Sequence, residues 1–133
     1  MSSPVPLLLL EGREVMAERR RLTKDERRTV YDKMDGRCAY CGEELAFEDM
    51  QVDHVIPING YSVQGADDLD NMLPSCRSCN HYKRRNTLEG WRKILEATPD
   101  TLARDCYTYR QAVRFGTVTP TPKKVVFYFE QRR

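Results

Sequence analysis

Apolar positions fall in short blocks separated by turn residues, a pattern of small elements. Thr23 and Glu26 form a capping box, each side chain placed to serve the other's backbone N–H. A helix is predicted from there to about Met34, with Val30, Tyr31 and Met34 on one side, and Gly36 stops it in a left-handed conformation. Cys38 to Gly42 reads as a tight knuckle. Leu45 to Phe47 and Met50 to Ile56 read as two strands of a hairpin turning at Glu48 and Asp49. Residues 57–70 carry two glycines, an Asn and three Asp, and form a long loop. Asn71 to Pro74 is too short to assign. A basic helix is predicted over Arg77 to Asn86. Asn86 or Thr87 caps another helix, with Leu88, Trp91 and Leu95 at helical spacing, and Pro99 ends it. Asp100 caps a last helix with Leu102, Cys106, Tyr109 and Val113 on one stripe, which favours a buried, inert thiol at Cys106 over a fifth ligand or a reactive thiol. Gly116 closes it, and KKVVFYFE (Lys124 to Glu130) predicts a terminal strand. The divisions are a leader at 1–22, loosely helical from Glu11 to Arg21, a main domain at 23–97, and an extension at 98–133 packed on it.

The chain of 133 residues is 40% hydrophobic and 32% charged, a polar globular composition that excludes a disordered tail. The net charge of +2 hides a segregation. Cys38 to Cys76 holds no Lys or Arg and eight acidic residues, whereas Arg77 to Arg133 holds thirteen basic against five acidic. An acidic middle beside a basic C-terminal part could hold a cation and a polyanion together, or be an unevenly charged solvated surface. No stretch reaches the length of a membrane span. The apolar run Val5 to Leu10 is short, has prolines in and before it, and lacks a basic flank, so no signal peptide is expected. The five cysteines are then expected in a reducing cytoplasm, where paired C-x-x-C motifs indicate metal rather than disulfides.

Cys38 and Cys41 are followed, thirty-four residues on, by Cys76 and Cys79. Each C-x-x-C pair can present two thiolates from one turn. Two pairs complete a tetrahedral S4 site, which suits a structural Zn²⁺, with iron sharing the spacing.

Between the knuckles lie Asp53, His54 and Pro57, then Asn71, and after the last cysteine Asn80, His81 and Lys83. The string C-x2-C…D-H-x-x-P…N-x-L-x-x-C-x-x-C-N-x-x-K resembles the HNH endonucleases, and among them the zinc-supported, endonuclease VII-like members, over about a third of the chain. The resemblance implies an α+β protein. Its core would be a small ββα-metal (His-Me finger) unit stapled by the four-cysteine zinc site, with an N-terminal helix, C-terminal helices and the terminal strand around it. It implies that His54 is the general base, that Asp53 and Asn80 hold a catalytic Mg²⁺ or Mn²⁺, and that Asn71 pins the loop and orients His54. Products would carry a 5′-phosphate and a 3′-hydroxyl. An imidazole suits the base because it titrates near neutrality, and a carboxylate and an amide oxygen are hard ligands. Lys83 matches the family's basic position near phosphate. With Arg77, His81, Arg84 and Arg85 it makes the expected nucleic-acid contacts. Asn at position 80 makes this an HNN variant, and His81 lies about 100° further round the helix, touching DNA or merely solvent.

The resemblance implies DNA, double-stranded or branched, as partner. RNA remains open because the chemistry is the same, and a non-catalytic zinc module is the rival of another class. Asp67, Asp68 and Asp70 could be read as a calcium loop, but they lack the Gly and terminal Glu of that motif, so they are expected to face solvent or limit the approach of DNA. The terminal strand could pair with a second copy and give a homodimer. The expected setting is the cytoplasm of a bacterium or of a phage-infected host, with no membrane association.

Overall fold

The computed structural model describes residues 21–132, so the leader expected over 1–22 lies outside them apart from its last two positions. Helix α1 is Lys24–Asp32. Its capping box forms as expected, with Glu26 N–H donating to Thr23 Oγ1 at 3.1 Å and Thr23 N–H to Glu26 Oε1 at 3.0 Å. Gly36 at φ +82° turns the chain into the first knuckle. Val30 on α1 packs with Leu45, Met50 and Met72 in the first of two small core clusters.

The sheet is two-stranded and antiparallel. β1 is Gln51–His54 and β2 is Met72–Ser75, with Asp53 opposite Leu73 and His54 opposite Met72. The hairpin expected between Leu45–Phe47 and Met50–Ile56 does not form. Leu45 N–H instead bonds Gly36 O at 2.8 Å, Arg37 bridges Glu44, and Phe47–Asp49 is a 3-10 turn. The partner strand is the segment too short to assign from its pattern. Pro74 fits there because each strand of a two-stranded sheet has a free edge; its carbonyl accepts from Ala39 N–H at 2.9 Å.

Helix α2, Arg77–Lys83, follows β2 directly and completes a ββα unit. It ends earlier than expected because Arg84 adopts φ +55°. Helix α3, Leu88–Asp105, is capped by Thr87 Oγ1 on Gly90 N–H at 3.0 Å. It runs through Pro99, and so across the 97/98 boundary drawn from the sequence. Thr98 Oγ1 donates to Ile94 O at 2.7 Å, giving one carbonyl a partner in the turn that the proline ring disturbs. The break comes at Cys106, which is extended (φ −122°, ψ 106°) and starts α4, Tyr107–Arg114. Cys106 is therefore half-buried at a helix junction, and the expected continuous stripe is interrupted at its position.

The C-terminal segment is not a strand. Val125 N–H bonds Glu96 Oε2 at 2.8 Å, while Tyr128 and Phe129 N–H bond Tyr40 O at 3.0 Å and Ala39 O at 2.8 Å. These donors go to the knuckle and to α3 rather than to a ladder. Tyr128–Gln131 closes the described chain as a short helix, α5. The exposed strand on which pairing with a second copy rested is thus absent. Phe127 stacks on Trp91 (4.9 Å between centroids) and, with Tyr40 and Cys38, forms the second core cluster directly beneath the cysteines.

Candidate active site and metal centre

The four cysteine sulfurs lie within 4.8 Å of one another. Cys38 and Cys41 come from a turn closed by Gly42 N–H on Cys38 O at 3.0 Å. Cys76 is the N-cap of α2 and Cys79 lies in its first turn. Backbone donors already face the sulfurs: Cys76 and Tyr40 N–H reach Cys38 Sγ at 3.3 and 3.4 Å, and Cys79 N–H reaches Cys76 Sγ at 3.4 Å. None of the five cysteines is in a disulfide. The thiol of Cys79 donates to Cys38, which holds the Cys38 thiol well below the ordinary range and pushes Cys79 up. Four sulfurs this close cannot all ionise without a cation among them. The donor set fits a metal ion, and soft thiolates in a closed S4 arrangement suit structural zinc.

One cleft of about 270 Å³ opens beside the ββα unit, and Asp53, His54, Asn80, Arg84 and Arg85 line it with the Pro57–Asn59 segment. Asp53 and His54 are neighbours on β1, yet both reach the cleft because the strand ends at His54. Asp53 is buried. Its Oδ2 accepts from the Tyr40 hydroxyl and from Lys83 Nζ, the latter at 3.1 Å. Burial pushes the Asp53 carboxyl above its usual range, and Lys83 and Tyr40 pull it partly back. Burial, and then the adjacent carboxylate, pushes the Tyr40 phenol up, so it stays a donor. Asn80 Nδ2 donates to Gln51 Oε1 at 2.7 Å, which leaves the amide oxygen as the group it can offer to a cation. His54 Nε2 lies 2.8 Å from Asp67 Oδ1. Asn71 ties the loop: its Oδ1 accepts from Ile56 N–H at 2.9 Å, and its Nδ2 donates to Ile56 O and Ala66 O, each at 2.8 Å.

Asp53, His54 and Asn80 thus meet in space, with Asn71 behind them as a brace. The expected nucleic-acid contacts divide. Arg84 and Arg85 are exposed in the cleft. Arg77 and His81, one turn apart on α2, line a separate shallow surface with Ser78 and Tyr82. Lys83 departs from that expectation: it is 0% exposed, and its ammonium is spent on Asp53 and on His54 O at 3.1 Å, so it is not placed to touch phosphate. Three residues escaped the sequence. Tyr40 carried no signal beyond being aromatic inside a knuckle. Gln51 is an ordinary strand residue. Asp67 is one of three nearby carboxylates, of which Asp68 and Asp70 are exposed.

The Lys83–Asp53 pair makes a test of its own. Removing one member of a buried pair leaves the other charge uncompensated, typically at about 3–5 kcal/mol. Lys83→Met is expected to lower unfolding free energy by that order in urea titrations. A loss under about 0.5 kcal/mol would show that the pair does not hold the β1–α2 junction.

The family model described as HNH endonuclease matches residues 38–86, which span the knuckles, the sheet and α2. The CRISPR-associated endonuclease Cas9 of Corynebacterium diphtheriae is 33% identical over 57 residues, 42% of this chain and 5% of that protein. The SPbeta prophage-derived protein YoqL of Bacillus subtilis, itself assigned as an HNH endonuclease, is 31% identical over 71 residues, 45% of this chain and 28% of its own. The crystal structure of the Type II-C Cas9 enzyme from Actinomyces naeslundii overlays with a TM-score of 0.46 at 18% identity, covering 66% of this chain and 11% of that one. The matched segments thus span only a small part of the relatives' length. Residues 38–86 are thus the part of the chain that is similar to HNH endonucleases. No helix among the described residues is long and apolar enough to cross a membrane.

Proposed function

We propose that this protein is a metal-dependent DNA endonuclease that hydrolyses phosphodiester bonds to 5′-phosphate and 3′-hydroxyl ends, working inside a bacterium or a phage-infected host. The observation that carries this reading is the convergence of Asp53, His54 and Asn80 on one cleft beside two exposed arginines. Arg84 and Arg85 draw the phosphate backbone into the cleft by charge. His54 takes the proton of the attacking water, a role worth about 10²–10⁴-fold for a well-placed imidazole. The Asp53 carboxylate and the Asn80 amide oxygen are the hard donors that would hold Mg²⁺ or Mn²⁺. Such a cation supplies stabilisation of the charge that develops on phosphate and leaving oxygen. Asn71 keeps the loop closed over the end of β1. The four-cysteine site, loaded with zinc, keeps the knuckle and α2 in register.

The test is to incubate the zinc-loaded chain with supercoiled plasmid, with and without added Mg²⁺ or Mn²⁺, beside branched DNA and a structured RNA. Cation-dependent nicking or linearisation of DNA supports the reading. Cleavage of RNA alone would move the substrate to RNA. Binding with no cleavage of any substrate would favour a non-catalytic zinc module.

The ligand assignment has a separate readout. Asn80→Ala is expected to weaken Mn²⁺ binding, measured by calorimetry, by about tenfold or more, whereas His81→Ala leaves it near the wild-type value. Equal or reversed effects would overturn the assignment of Asn80.

A further inference from the structure

We propose that Asp67 is the positioning residue of this site, fixing the ring of His54 in one orientation and one tautomer. The inference rests on the reading of His54 as general base and adds to it the group that prepares it.

A carboxylate only accepts hydrogen bonds. The 2.8 Å contact between His54 Nε2 and Asp67 Oδ1 therefore places the proton of the neutral ring on Nε2. Nδ1 is then the nitrogen with a free lone pair, able to take a proton. A partner on one ring nitrogen setting the state of the other is the general logic of histidine sites.

The contact is built into the fold. Asn71 Nδ2 holds the Ala66 carbonyl, immediately before Asp67, and the Ile56 carbonyl, two residues after His54, each at 2.8 Å. One amide thus joins the two backbone segments that carry the carboxylate and the imidazole. Gly65 N–H adds a bond to Pro57 O at 2.7 Å. The approach is so close that a Cβ at Gly65 would lie 2.1 Å from Ile56 O, which only glycine avoids. Asp68 and Asp70 do not share the role: both are exposed, and their charges act on Lys33, the residue that follows α1. The side chains of His54 and Asp67 are 11% and 28% exposed, so the pair is partly shielded from competing water.

The experiment uses the full zinc-loaded chain and two readouts. Long-range ¹H–¹⁵N spectra of the ¹⁵N-histidine protein are recorded at about pH 8.5, well above the ordinary imidazole pKa of about 6.5. With two histidines in the chain, His81→Gln assigns the signals. The wild type is expected to show His54 in the Nε2–H form. Plasmid cleavage by Asp67→Asn is expected to keep KM within about threefold and to lose about 10²–10⁴-fold in kcat, the scale of removing the carboxylate behind a catalytic histidine. Its zinc content and melting temperature stay unchanged. A wild-type His54 in the Nδ1–H form overturns the proposal, and that spectrum needs no variant of the site to fold. So does an Asp67→Asn kcat within about threefold of wild type, or a loss that only follows lost zinc and lost fold. His54→Ala separates the two levels. If it folds and still cleaves, the base assignment itself fails. If it is inactive while Asp67→Asn is active, only the role of Asp67 fails.

Discussion

Cys76→Ser is expected to leave the chain without a cooperative fold. The core of the described residues is two small clusters, one beneath the cysteines and one between α1 and the sheet. A two-stranded sheet adds little stability in water by itself. The sulfurs join the Cys38–Cys41 turn to the start of α2, which are thirty-four residues apart in sequence. A structural zinc site of this kind contributes on the order of 10 kcal/mol, comparable to the roughly 5–15 kcal/mol that stabilises a whole domain. Cys76 also caps α2, its Sγ accepting from Cys79 N–H, so the substitution perturbs the helix start as well as the metal. Circular dichroism melts and zinc analysis of wild type and Cys76→Ser decide the matter, with chelator-treated wild type as the parallel arm. A soluble Cys76→Ser that melts cooperatively near the wild-type temperature would remove the structural role of the site.

His54→Ala is expected to abolish cleavage, by about 10²–10⁴-fold, and to leave the fold intact. Among the described residues the His54 side chain makes a single hydrogen bond, to Asp67, and it contributes to neither core cluster. Its structural loss is therefore small. Asp53 is a poorer probe: it is buried against Lys83 and Tyr40, so its removal would strand a buried ammonium and confuse stability with catalysis. The measurement is the single-turnover rate on plasmid at saturating cation, beside zinc content and melting temperature. A folded His54→Ala within tenfold of wild type would move the base to another residue.

Both experiments draw on features legible in the amino-acid sequence. Paired C-x-x-C motifs are local, and their chemistry constrains them to meet. The capping box at Thr23 is local too. Elements set by competition between distant partners were left unassigned or misread. The strand Met72–Ser75 holds four residues and a proline, and only β1 makes it a strand. The aromatic run near the C-terminus has every mark of a strand, yet Phe127 goes to Trp91 and its neighbours' amides to the Tyr40 knuckle.

By itself, then, the sequence determined the chemistry: a four-thiolate centre, an Asp–His pair, and two asparagines at a spacing that links them. Tertiary structure decided which charge each group meets. Lys83, read as a phosphate contact, became the buried counter-ion of Asp53, because the last turn of α2 packs it onto β1. Asp67, read as a solvated carboxylate among three, became the partner of His54, because Asn71 and Gly65 close the loop at that residue. The physical reason is range. Caps, turns and C-x-x-C knuckles are set within a few residues, whereas ion pairs across packed elements depend on where the chain returns.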